Sequence, residues 1–170
     1  ALMALVEAHG LTAATVARLD VHMPDDRLHI VDDRAMPDVC LQHLLAVALI
    51  DGGLGFAAAH DHARMADPAI RVLRQRIFAI PSKDLTDARP PRQAVVEITT
   101  TDGRVLRHHT RAVLGTPANP MSRAQVVAKA RDLIDPVLGA DRAQTLISAV
   151  LAISAMDDVR DLRPLLIVGQ

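Results

Sequence analysis

The chain has 170 residues, half of them hydrophobic, with 19 basic and 20 acidic side chains that leave a formal charge of −1. That length supports one domain with a packed core, or a small domain with a helical appendage. No Trp, no Tyr, two Phe and no long basic run leave out the electrostatic footprint and stacking platforms of a nucleic-acid binder. The longest apolar run, the seven residues Leu44 to Ile50, falls far short of the ~18–20 needed to span a bilayer. The N-terminus lacks a basic signal-peptide region, and the single Cys excludes an internal disulfide. These features lead to the expectation of a cytoplasmic protein without a membrane partner.

In chain order, "ALMALVEAH" (1–9) carries the pattern of the last turns of a helix, stopped by Gly10. No capping residue precedes it, so the chain is expected to begin inside an element of a longer polypeptide. Alternation then sets in: Ala17, Leu19, Val21 and Met23 point one way and Arg18, Asp20 and His22 the other, a half-buried strand closed by Pro24. Residues 25–37 are polar and acid-rich, a predicted loop with at most a short extended piece at Leu28 to Val31.

"DVCLQHLLAVALIDGG" (38–53) predicts a short buried helix, with Asp38 able to cap its start and a Gly pair past its end. Gln42 and His43 interrupt its apolar face. Burying either group unpaired costs about 1–3 kcal/mol, so each needs a partner or a cleft. A short helix is predicted through Ala57 to Met65, and Asp67-Pro68 starts another to about Gln75. "RIFAIP" is a brief strand and "SKDLTDARPPR" a loop.

The hairpin "QAVVEITTTDGRVLRHHT" turns at Asp102-Gly103; a two-residue type I′ turn there would set Glu97 across from His108. Beyond Gly115, "TPANP" marks a linker into helical sequence. Ser122 and Gln125 form a capping box, Pro136 and Gly139 break the run, and Asp141 with Gln144 opens a second helix.

The expected fold class is α+β: the end of a helix (1–10), a small mixed domain with an antiparallel sheet and packed helices (11–115), and a C-terminal helical segment (116–170).

Candidate chemistry is sparse. His60 and His62 lie two apart in a helical context, where i, i+4 spacing would be needed for chelation, and no second ligand cluster is present, so no metal is expected. Cys40 could be a thiol nucleophile near a helix start, but a lone Cys on an apolar helix also serves as a small buried hydrophobe. Arg34 has a fork that suits a carboxylate, though Asp32 and Asp33 offer it ordinary ion pairs. There remains a polar group at the head of the buried helix: Arg34, Asp38, Gln42 and His43.

"VCLQHLLAVALIDGG" resembles the "FSLxYxxAxALLDG" segment of the MmgE/PrpD family. The order of the downstream segments is similar too: the "ADPAIRVL" helix, the "VEITTTDGR" hairpin and "GTPANPMSRAQVVAKARDLI". The resemblance implies a cofactor-independent lyase or isomerase, such as 2-methylcitrate dehydratase, cis-aconitate decarboxylase or iminodisuccinate epimerase, moving a proton next to a carboxylate on a small di- or tricarboxylate. It also implies that the chain is the lid and returning helices of a larger fold. The partners would be an N-terminal all-helical domain, which is missing here, and a second copy in a homodimer.

His43 stands where the family usually has Tyr, Cys40 where it has Ser, and Val39 where it has Phe. On that basis His43 is the candidate catalytic hydrogen-bond donor or proton relay, with Arg34 and Gln42 as candidate substrate-binding residues. Such a fragment would be inactive alone; the alternative is a stand-alone binding or dimerisation module that kept the fold without catalysis.

Overall fold

The computed structural model describes residues 1–167; the last three residues of the expected C-terminal segment lie outside the described residues. The chain divides into two compact units, 1–119 and 120–170.

Unit 1 is built on a four-stranded sheet in the order β2-β1-β3-β4: β1 (Val16–Pro24), β2 (Ile77–Ser82), β3 (Ala94–Thr100) and β4 (Val105–Thr110). β1 pairs antiparallel with β3, and β3 with β4, but β2 lies parallel to β1, so the expected antiparallel sheet is mixed. A parallel neighbour requires a crossover, and the helices between β1 and β2 supply it. One row across the core face runs Ile77, Leu19, Ile98, Leu106. Against this face pack α1 (Leu2–His9), α3 (Leu41–Asp51) and α5 (Pro68–Arg74), through Leu2, Leu5, Val47, Ile70 and Leu73. Each buried aliphatic side chain of this kind contributes about 1.5–3 kcal/mol.

α1 ends as its sequence predicts, on Gly10 in the left-handed region (φ 62). β1 departs from strict alternation at its start. A register shift between Val16 and Arg18 buries Val16 and exposes Ala17, which shifts the phase by one residue.

The hairpin shows the same kind of shift. Gly103 N–H donates to Thr100 O and Thr100 N–H to Arg104 O, so three residues rather than two form the loop, with Gly103 at φ 86. Thr100 Oγ1 accepts from Arg104 N–H and also bonds the Asp102 carboxylate, which stabilises the longer loop. As a result Glu97 faces Arg107, and His108 moves to the other face beside Val96.

Three predicted loops or helices also differ. The 28–31 stretch is a helical turn, α2 (Leu28–Val31), rather than extended. The 57–65 helix is split into α4 (Phe56–Ala59) and a 3₁₀ turn at His62–Ala66, because Asp61 caps the latter by accepting from Ala63 N–H. The loop after β2 begins with α6 (Lys83–Asp87), capped by Ser82.

Unit 2 begins with α7 (Arg123–Leu138), and the Ser122–Gln125 capping box is formed in both directions. Pro136 does not break this helix: it removes one donor near the end, and the helix continues to Gly139, whose N–H bonds Asp135 O. α8 (Ala140–Leu151) starts at once from Gly139 with no side-chain cap. Gln144, read with Asp141 as opening this helix, accepts from Arg131 of α7 and donates to Ser148. α8 buries Ala143, Leu146 and Ile147, and a short α9 (Arg163–Leu166) comes after it. No helix is long and apolar enough to cross a membrane among the described residues.

Candidate functional site

α3 carries the polar pair that the sequence singles out. Its start is made by Cys40, with no side-chain cap bond, because Asp38 falls in a separate 3₁₀ turn, Pro37–Val39. Gly52, at φ 73, ends it as expected. Gln42, His43, Ala46 and Val47 all lie buried.

Both ends of the Gln42 amide are engaged. Its Nε2 donates to Asp32 Oδ1 at 2.6 Å, and its Oε1 accepts from the Asp33 N–H at 3.0 Å, with Cys40 Sγ 3.8 Å away. It therefore ties the 32–34 turn to the head of α3. That turn needs support, since Asp33 adopts φ 43. The Asp33 carboxylate reaches α5, accepting from Arg74 Nη2 at 2.8 Å.

Arg34 is next in the same turn. With Asp32 bound to Gln42 and Asp33 bound to Arg74, neither acid pairs with it. The guanidinium is exposed and has no partner among the described residues.

His43 points inward. It has no exposed surface, and neither ring nitrogen has a hydrogen-bond partner among the described residues. Burial holds its pKa below the ordinary imidazole value; the positive charges of Arg74 and then Arg64 push it the same way, and Asp61 opposes them. The two arginines are themselves held, Arg74 by Asp33 and Arg64 by a two-bond fork to Asp51 at 2.5 and 2.9 Å. A neutral imidazole offers one donor and one acceptor. Leaving both unused in the interior is the most unusual polar feature of unit 1.

The structure thus brings Arg34 and Gln42 into one turn-and-helix corner and buries His43 one residue further along. It also adds residues that the sequence did not single out. A hollow of about 500 Å³ opens beside this corner, lined by Asp33 and Gln42 together with Arg71, Arg74 and Gln75 from the end of α5 and Phe78 of β2. The signal for the arginines was their i, i+3 spacing after the Asp67-Pro68 helix start, which puts them on one face.

Elsewhere, His60 Nδ1 lies 2.8 Å from Phe56 O and its ring stacks on Phe56, while His62 is exposed. Cys40 is fully buried, as a small hydrophobe would be. Among the described residues no group of three or more His, Cys, Asp or Glu is arranged to hold a metal ion.

Fold and site together define an α+β domain with an arginine-bounded polar corner at the head of a buried helix. Residues 1–154 match the family model of the MmgE/PrpD C-terminal domain, and the chain belongs to that family. No curated protein matches the chain significantly.

Proposed function

We propose that this chain is the C-terminal portion of a cofactor-independent lyase or isomerase of the MmgE/PrpD type, transferring a proton at a carbon next to a carboxylate of a small di- or tricarboxylate. His43 is the proton relay or hydrogen-bond donor, Arg34 the carboxylate clamp, and Gln42 a substrate-binding residue that also holds the 32–34 turn. The observation that carries this reading is the buried, unpartnered imidazole of His43 in a chain of this family. A group that costs the fold stability and makes no internal bond is one kept for another use.

The chemistry rests on the state of each group. His43 is held neutral by burial and by its arginine neighbours, so its ring carries one donor and one acceptor, neither bonded among the described residues, for a hydrogen bond or a relayed proton. Arg34, exposed and unpaired among the described residues, keeps its donors for a carboxylate. Fixing that carboxylate beside the reacting carbon supplies orientation and spreads the charge that develops on deprotonation. The remaining acid/base groups come from an N-terminal helical domain, and the assembled enzyme is a cytoplasmic homodimer. Alone, the 170 residues are inactive.

The test is steady-state turnover of methylcitrate, cis-aconitate and iminodisuccinate by the full polypeptide that contains this chain. His43→Ala is expected to lower kcat about 10²–10⁴-fold, and Arg34→Gln to raise KM with a smaller effect on kcat. Full activity of His43→Ala would remove His43 from the mechanism. Turnover by the isolated 170 residues would overturn the assignment of missing acid/base groups, and an inactive wild-type full polypeptide would favour a non-catalytic binding or dimerisation module.

A further inference from the structure

Arg71, Arg74 and Gln75 stand at i, i+3 and i+4 around the C-terminal end of α5, and all three line the hollow beside Asp33. The Arg71 guanidinium and the Gln75 amide have no partner among the described residues. Arg74 is different. Its side chain is only 18% exposed, and its guanidinium is met by the carboxylate of Asp33, itself 81% exposed, from a turn 41 residues earlier. Asp33 makes this contact from a left-handed backbone (φ 43) pinned by Gln42.

Basic residues in the last turn of a helix ordinarily answer the helix dipole, and that accounts for the presence of two arginines. It does not account for a solvent-side carboxylate brought onto one of them from an uncommon backbone conformation, nor for the two vacant donors alongside. With Asp33 docked, Arg71, Arg74 and Asp33 sum to one positive charge. Asp33 occupies Arg74 as the carboxylate of a ligand would, and Arg71 and Gln75 are free to hold the rest of that ligand. Phe78, with Arg18 4.0 Å above its ring, gives the hollow an apolar wall.

We propose that this hollow is a binding site for a small oxyanion, carboxylate or phosphate, held by Arg71, Arg74 and Gln75, with Asp33 as an internal competitor that the anion displaces from Arg74. Of the residues assigned to the reaction, Gln42 lines the hollow but Arg34 and His43 do not, so the site stands whether or not those two serve catalysis.

The test is calorimetric titration of the chain with succinate and, separately, with inorganic phosphate, at fixed ionic strength made up with chloride. Saturable binding of succinate identifies a carboxylate ligand, and saturable binding of phosphate a phosphorylated one; either supports the site. Asp33→Asn is expected to tighten binding by about two- to fivefold, as loss of an exposed competing ion pair allows. Asn tolerates the left-handed backbone, so the turn survives the change. Arg71→Gln and Arg74→Gln should each weaken binding by about tenfold or more, while Arg104→Gln on the hairpin leaves it unchanged. No saturable binding of either anion, binding indifferent to Arg71→Gln, or Asp33→Asn binding no tighter than the parent chain would each overturn the proposal.

Discussion

The buried imidazole of His43 makes the stability of unit 1 depend on pH in a calculable direction. In the unfolded chain this group takes up a proton near pH 6.5; in the fold its pKa is lowered by burial first and by Arg74 and Arg64 next. Around and below pH 6.5 the unfolded state therefore binds more proton than the native state, so stability is lost as pH falls and is restored as it rises. One proton gives a slope of at most about 1.4 kcal/mol per pH unit, and so no more than about 2 kcal/mol between pH 6.5 and 5.

The perturbation is His43→Leu, an apolar replacement that removes two unpaired nitrogens from a site with no exposed surface. Above pH 7 the variant should be from neutral to about 2 kcal/mol more stable than the parent, because no partner is left orphaned. The gap should then widen by up to about 2 kcal/mol by pH 5. Urea unfolding read at the backbone amides of β3 reports unit 1 by itself, and taking the difference between the two proteins cancels the other seven histidines. A gap that stays constant from pH 7.5 to 5, or an imidazole that titrates normally by NMR in the folded chain, would refute the reasoning.

Three further outcomes are expected. Gln42→Leu removes the acceptor of the Asp33 N–H and the donor to Asp32, so it should cost about 1–3 kcal/mol and speed hydrogen exchange at Asp33; unchanged exchange would show the turn is held otherwise. Gly103→Ala meets open space but must adopt φ 86, so a loss of about 1 kcal/mol is expected in the urea midpoint, and Gly103→Asn should lose less. Asp67→Ala strips the acceptor for the Ala69 and Ile70 N–H groups and should cost about 0.5–2 kcal/mol of unit 1 stability. Since Pro68 remains at the first helical position, α5 should still form, as the circular dichroism of the variant will report.

Much of the architecture was legible because it rests on local rules. Gly10 and Gly52 stop helices by supplying the left-handed region, Asp67-Pro68 and the Ser122–Gln125 box start them, and alternation marks β1 through Met23. The misreadings occur where two local solutions compete. Thr100 adds side-chain bonds that favour a three-residue loop over a two-residue one, and that single choice moves Glu97 from His108 to Arg107. Pro136 looks like a break, yet near a helix end it forfeits only one bond.

The candidate site divides along the same line. Sequence by itself determined that a polar pair interrupts a buried helix, and its order of motifs pointed to the family that the matched residues 1–154 confirm. It could not determine where each polar group is satisfied, since Gln42 finds Asp32 and Asp33 ten and nine residues back and Arg74 finds Asp33 across 41. Those partners depend on how α3 and α5 lie against the sheet, a result of packing many apolar side chains at once rather than of any local pattern. Among the described residues, the same packing turned His43 inward with nothing to bond and left Arg34 outside with nothing to pair.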